Sequence, residues 1–205
     1  MAGRSSRTQK NEPEGRLARE RVFDAAADLF YRKGIQAVGV DAIVKQAGVA
    51  KISMYRSFPS KDDLVVAYLE ERSADFWGQW DDAFRQYEDD PHARLRAIMS
   101  YLAQRTTQPR YRGCPFLNFC CEFPEGSHPG RRPAETAKRE LRQRFLRIAK
   151  ALRAPRPKQL ADSLLLMVEG AYGISQSLGG RDSPANAIVW AAQALVEAQL
   201  QLRKT

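Results

Sequence analysis

Apolar residues along this chain recur at three- and four-residue spacing almost throughout, and no run alternates apolar with polar as a strand would. The pattern predicts an all-α protein. A first helix is expected over 15–33, where Val22, Ala25, Ala26, Leu29 and Phe30 share a face. Gly34 closes it, with Lys33 beside the negative helix end. A second helix covers 40–47, with Val40, Ile43, Val44 and Ala47 at helical spacing, and Gly48 breaks it. A third covers 51–57. Ser60 and Asp63 have the form of a capping box and open a long fourth helix carrying Leu64, Ala67, Tyr68, Phe76, Trp77, Trp80 and Phe84. Asp90-Pro91 reads as an N-cap with proline at the first helical position, starting a fifth helix to 107. The stretch GCPFLNFCCEFPEGSHPG has room for one short helix. Pro133 starts a basic helix to 153, Pro155 and Pro157 start another ending at Gly179-Gly180, and Ser183-Pro184 caps the last, to 202.

Length and composition narrow the class. The chain has 205 residues, 43% of them hydrophobic, enough for a substantial core. No apolar run approaches the ~20 residues that span a bilayer. The basic N-terminus has no apolar segment behind it, so a cytoplasmic protein without a signal peptide or membrane partner is expected. Three cysteines within eight residues, Cys114, Cys120 and Cys121, do not make a disulfide framework.

Charge is uneven. Residues 1–61 hold 12 Lys/Arg against 6 Asp/Glu, residues 62–130 hold 7 against 12, and residues 131–158 hold 11 against 2. The first basic block suggests a polyanionic partner. The second lies on a helix with Leu141, Phe145 and Ile148 on one side, which a solvated amphipathic helix explains, although the excess of one sign stays unaccounted for.

Two short helices joined through Gly48 have the helix-turn-helix form. Met54, Phe58 and Val49 are expected inward, leaving Lys51, Ile52, Tyr55 and Arg56 outward as neighbours at helical spacing. A cation, a small aliphatic group and a phenol on one face suit phosphate contact, apolar base contact and a hydrogen bond. Taken alone, Lys51, Arg56 and Lys61 read as a solvated face and Tyr55 as a core cap. Arg4, Arg7 and Lys10 form an arm that would reach nearby phosphates or serve as a solubilising tail.

Residues 17–64 resemble the DNA-binding domain of the tetracycline-repressor (TetR-like) family. The matching elements are Leu29-Phe30 before Gly34, Val40-Asp41-x-Ile43, Ala47-Gly48-Val49, and Tyr55-x-x-Phe58-x-Ser60-Lys61-x-x-Leu64. The resemblance implies a helix-turn-helix domain at 1–61 and a helical ligand-binding and dimerisation domain at 62–205. It further implies a homodimer on a palindromic operator, and a small-molecule inducer. The DNA-binding residues it implies are Gly39, Lys51, Ile52, Ser53, Tyr55, Arg56 and Lys61. Gly39 stands near a usual hydroxyl and Ala50 where Ser or Thr usually caps, so the operator sequence does not carry over.

The last two helices are apolar over more than one stripe. The resemblance makes them a dimer interface, with Val168, Ile188, Ala192, Leu195 and Val196 as its residues; an ordinary intrachain core is the other reading. The middle helices supply Trp77, Phe84, Met99, Phe116, Phe119, Cys120 and Tyr172, which are core material and also what a pocket between helices is made from. Such walls favour an apolar or aromatic ligand. Glu169 either faces that pocket, where it would take a cation, or faces solvent. The cysteines read as small hydrophobes, with thiol redox sensing the alternative. Their spacing is not a metal site, and no cofactor is expected. An acyl-transfer enzyme using a cysteine with His92 or His128 lacks any nucleophile motif, and the chain is read as a regulator, not an enzyme.

Overall fold

The computed structural model describes residues 11–202, with side chains from Gly15 onward. Among these residues the secondary structure is helical throughout. The helices are α1 (Asn11–Lys33), α2 (Val40–Ala47), α3 (Lys51–Ser57), α4 (Lys61–Phe84), α5 (Pro91–Thr106), α6 (Pro115–Glu122), α7 (Arg131–Ala151), α8 (Pro157–Ile174) and α9 (Ile188–Gln201). Short 3-10 turns at Arg85–Tyr87 and Pro184–Ala187 precede α5 and α9. No described helix is long and apolar enough to cross a membrane.

The expected start signals act as read. The Ser60 hydroxyl accepts from Asp63 N at 3.0 Å and donates to Asp63 Oδ2 at 2.7 Å, closing the capping box of α4. Asp90 Oδ1 accepts from Ala93 N at 2.9 Å with Pro91 at the first helical position. Differences lie at helix ends. Helix α1 begins before Pro13 and α7 before Pro133, because a first turn tolerates proline, its N–H being unused there. Helix α8 stops at Ile174, short of the glycine pair, where the Ser175 and Ser177 hydroxyls bond back to Tyr172 O and Ile174 O.

The chain divides into two compact units, the described part of Met1–Arg72 with Asn118–Ala134, and Ser73–Leu117 with the described part of Glu135–Thr205. The chain passes between them three times, each time inside a helix: α4, α6 and α7.

In the first unit, α1, α2 and α3 close a small core of Val22, Ala26, Leu29 and Phe30 against Ile43, Ala47, Met54 and Phe58. Leu64, Tyr68 and Leu69 of α4 are buried in the same unit, and the Phe30 and Tyr68 rings meet edge-on at 5.7 Å. Burying a side chain of this size contributes roughly 1.5–3 kcal/mol. The segment 118–134 is tied into this unit by Glu122. Its Oε2 accepts from Gln36 N at 2.8 Å and its carbonyl from Gln36 Nε2. Gly34, at φ +90°, lies where a Cβ would press Glu122 Oε2 at 3.2 Å, so both the turn and the clasp call for glycine.

In the second unit, α5 packs with α8 and α9, which also pack on each other. Ile98, Met99, Leu102, Leu160, Leu164, Val168, Ala192 and Val196 form its core. A row of edge-on rings, Phe76, Trp77, Trp80 and Phe84, runs along α4. As expected, α7 turns Leu141, Phe145 and Ile148 inward. Its basic excess finds acids far away in sequence: Arg144 pairs with Asp81, Arg142 with Asp162, and Lys138 with Glu169.

Candidate nucleic-acid interface

The turn between α2 and α3 is set by Gly48, the C-cap of α2, in the left-handed conformation at φ 62° and ψ 41°. Its N–H and that of Val49 return to Lys45 O and Val44 O, which satisfies the open carbonyls of α2. Arg21 Nη2 donates to Gly48 O at 3.2 Å, and a Cβ on Gly48 would come within 2.6 Å of that same nitrogen. The left-handed backbone thus favours glycine, and a Cβ there would also make the Arg21 guanidinium move. Gln46 Nε2 donates to Asp28 Oδ2 at 2.8 Å, fixing α2 on α1. The Arg32 guanidinium, then Gln46, hold the Asp28 carboxyl below its ordinary range.

Helix α3 is only seven residues long, and neither Ala50 nor Gly39 offers a side-chain cap to the helix that follows it. Packing orients it instead. Met54 is fully buried, Phe58 nearly so, and the Phe58 ring meets Phe23 at 6.5 Å with the Arg19 guanidinium 4.8 Å above it. The opposite face is open. Ile52 is 61% and Tyr55 43% exposed, with Lys51 and Arg56 exposed beside them. An exposed aliphatic and an exposed phenol between two cations carry a cost in water that contact with base edges and phosphates would remove.

Not every implied DNA-binding residue lies on that open face. Lys51 Nζ pairs with Asp41 Oδ1 at 2.9 Å, and that carboxylate holds the lysine above its ordinary pKa. Exposed pairs of this kind are weak, so a phosphate can take the lysine over. Among the described residues Arg56 makes no ion pair. Ser53 is half-buried, with its carbonyl accepting from the Ser57 hydroxyl at 3.2 Å. Lys61 turns inward: Nζ donates to Ile35 O at 2.7 Å and lies 6.0 Å from the Phe30 ring. Burial pushes its pKa down, against the pull of Asp62 and Glu122. Its ammonium serves the loop after α1, and it joins the DNA face only by leaving that carbonyl. Gly39 is exposed with open space where a Cβ would be. Arg4, Arg7 and Lys10 lie outside the described residues.

Sequence patterning did not find Arg21, Asp41 or Glu122. Arg21 reaches 27 residues ahead and Glu122 reaches 86 back, separations at which local spacing has nothing to show.

The ligand-site residues do not all fall in one unit. Phe119 and Cys120 are in the first, where the Phe119 ring stacks on Phe123 at 5.1 Å and His128 lies 5.1 Å away. In the second unit Phe84, Met99, Phe116 and Tyr172 are buried and Trp77 is half-buried beneath the Arg144 guanidinium, 4.3 Å from its ring. Glu169 faces neither open solvent nor a vacant cation position. Its Oε1 accepts from Lys138 Nζ at 2.6 Å, and that nitrogen is 3.3 Å from Cys114 Sγ and 5.7 Å from the Tyr172 ring. Burial opposes the charge on Lys138, yet Cys114 and Glu169 together hold its pKa above the ordinary value. Burial pushes the Tyr172 phenol well up. Among the described residues no group of His, Cys, Asp and Glu has metal-binding geometry.

Of the residues expected from the sequence to serve self-association, most are covered by their own chain. Val168, Ile188, Ala192 and Val196 are buried within their own chain, and Leu195 is half-buried. The exposed large apolar side chains of α8 and α9 are Leu166 and Trp190, each 72% exposed, with exposed Gly170 and Gly173 one and two turns beyond Leu166.

Comparison with known proteins agrees with this geometry. The model for bacterial regulatory proteins of the tetR family matches residues 22–68. A protein of Streptomyces avermitilis assigned as a TetR transcriptional regulator is 34% identical, with 89% of this chain and 97% of that chain covered and a TM-score of 0.79. A TetR-family transcriptional regulator of Streptomyces coelicolor is 25% identical, over 91% and 95% of the chains, with a TM-score of 0.78. The transcriptional regulator AcuR of Cereibacter sphaeroides is 32% identical over 106 residues; the match spans about half of each chain, 51% of this one and 48% of AcuR. With its helix-turn-helix, its all-helical fold and a full-length relative above 30% identity, this chain belongs to the TetR family of DNA-binding transcriptional regulators.

Proposed function

We propose that this regulator is a repressor, acting in the cytoplasm as a homodimer on a palindromic operator and released from it by a small apolar or aromatic molecule. The observation that carries the DNA reading is the face of α3, where Lys51, Ile52, Tyr55 and Arg56 are exposed together behind a glycine-fixed turn. In this reading Arg56 and Lys51 meet phosphates, while Ile52, Tyr55 and Ser53 tune base choice. One α3 reads one half-site, so half-sites about 34–36 Å apart require a second copy. Leu166, Gly170, Gly173 and Trp190 supply a face for it: glycines permit close helix approach, and a tryptophan is the commonest kind of interface anchor.

Phe84, Met99, Phe116, Trp77 and Tyr172 remain the residues proposed to meet the inducer. The pairing of Glu169 with Lys138 favours an uncharged ligand over a cation, which would have to displace an ammonium already bound. Because α4, α6 and α7 each run from one unit into the other, a shift of any of them at the ligand end would be carried toward α3. The test is a mobility-shift titration against genomic fragments, followed by release with compounds that raise the melting temperature. A fragment bound far above bulk competitor DNA, and freed by such a compound, is the expected result. Uniform binding to all DNA, or stabilising compounds that never change DNA affinity, would refute it.

A further inference from the structure

The second unit contains a cleft of about 440 Å3 between the end of α4, the start of α5 and the end of α7, lined by Trp80, Asp81, Glu88, Pro91, Arg94, Arg144, Arg147, Ile148 and Ala151. Of the residues assigned to the inducer above, none lines it. Its volume is within the ~300–1,000 Å3 of ordinary small-molecule sites. Its lining combines the apolar Trp80, Pro91 and Ile148 with three arginines.

The three arginines are not equivalent. Arg144 is saturated: its Nη atoms hold Asp81, its Nε donates to Glu140 at 2.7 Å, and its plane covers Trp77. Arg147 gives one Nη to Glu140 at 3.2 Å and is otherwise open, with 61% of its side chain exposed. The Arg94 side chain makes no hydrogen bond or ion pair among the described residues, and its Nε is buried without an acceptor. A buried guanidinium donor lacking an acceptor is uncommon and disfavoured. Asp81 is hydrogen-bonded to Arg144 and not to Arg94; that bond first, and then the charges of Arg144, Arg94 and Arg147 nearby, hold its pKa below the ordinary value. Glu88 is exposed on the lining and is the acid there without an arginine partner.

We propose that this cleft binds a small organic acid, its carboxylate bridging Arg94 and Arg147 and its apolar body lying along Trp80, Pro91 and Ile148. A guanidinium donates strong, charge-assisted hydrogen bonds to a carboxylate, which suits two arginines, Arg94 and Arg147, on one cleft lining. The site is separate from the inducer reading and stands or falls without it.

Calorimetric titration of the full chain with 1-naphthoate tests the assignment, alongside the neutral 1-naphthalenemethanol, the cationic 1-naphthylmethylamine and inorganic phosphate. The naphthoate is expected to bind at least about tenfold more tightly than each of the other three. Arg94→Gln should weaken it by about tenfold or more while leaving the melting temperature near that of the parent chain. Ala151→Phe, which places a ring into the cleft from the exposed last residue of α7, should abolish it and provides the test if Arg94→Gln does not fold. Equal binding of the alcohol removes the arginine role. Tighter binding of the amine assigns the cleft to Glu88 and a cation, and phosphate as tight as naphthoate removes the apolar half. Naphthoate affinity unchanged by Ala151→Phe places the molecule elsewhere. Each of these results overturns the proposal.

Discussion

Two of the surfaces on which this chain exposes large apolar side chains, those of α3 and of α8 with α9, are made differently. On α3, Ile52 and Tyr55 stand among Lys51 and Arg56, so each apolar group has a cation beside it. On α8 and α9, Leu166 and Trp190 are more exposed still, and their helical neighbours at three- and four-residue spacing include Gly170, Ala187 and Ala194 together with Asp162 and Glu169, but no Lys or Arg. The first composition suits a hydrated polyanion, where charge supplies affinity and the apolar groups only discriminate. The second suits a dry, close contact between like surfaces, where shape and apolar area supply the affinity. Exposure alone therefore does not tell an interface's partner; the charge placed around the exposed group does.

The largest effect should come from the second surface. Replacing Trp190 and Leu166 together with glutamate should weaken self-association by roughly 3 kcal/mol or more, enough to populate monomer at micromolar concentration. Sedimentation equilibrium reads this directly, and operator affinity should fall with it. A double variant that remains fully dimeric would remove the distinction between the two faces.

Next in size is the turn that aims the first surface. Gly48→Val forces a β-branched residue into a left-handed backbone and drives its Cβ toward Arg21. A loss of about 2 kcal/mol and a fall of several degrees in melting temperature are expected. Calorimetry of the full chain measures it.

A smaller, sharper effect belongs to the cations of α3. Arg56→Ala should lower affinity for all DNA sequences alike and reduce the salt slope by about one unit. Lys51→Ala should do less, because Asp41 already engages that ammonium, and Asp41→Asn should strengthen non-specific binding by freeing it. Ile52→Ala should instead change sequence preference at an unaltered salt slope. Salt-dependent mobility shifts separate the four outcomes, and identical behaviour of all four variants would mean that α3 is no reading head.

The smallest concerns acid. Asp81 and Asp28 are held below the ordinary 3.8 by Arg144 and Arg32, respectively, so their stabilisation is present above that value and disappears as pH falls through the lower, folded-state pKa. Both are about half exposed, which limits each to roughly 0.5 kcal/mol. Asp81→Asn should flatten the loss of stability below pH 4 slightly, as seen in urea unfolding at stepped pH; a flattening near neutrality would contradict the assignment.

The two surfaces also differ in how far they could be read from the chain alone. In α3, one strip is apolar and the rest polar, so helical spacing gives the phase: Met54 and Phe58 fall inside, Lys51, Ile52, Tyr55 and Arg56 outside. Helices α8 and α9 are apolar nearly all round, so spacing shows that they are covered on more than one side but not which side is covered by their own chain. The sequence choice of Val168, Ala192 and Val196 for the partner fell on positions buried within their own chain for that reason.

What the sequence determined by itself are the features decided within a few residues: helical period, the Ser60 and Asp90 caps, the Gly48 turn and the order of the helices. Tertiary structure decided what long side chains do, because their partners are remote in the chain. Lys61, which by position belongs with the DNA-binding residues, spends its ammonium on Ile35; Glu169 meets Lys138; and the basic run of α7 is balanced by Asp81 and Asp162, 63 and 20 residues away. A backbone cap is satisfied by its neighbours, but a charge on a long stem is satisfied only by whatever the fold brings within its reach.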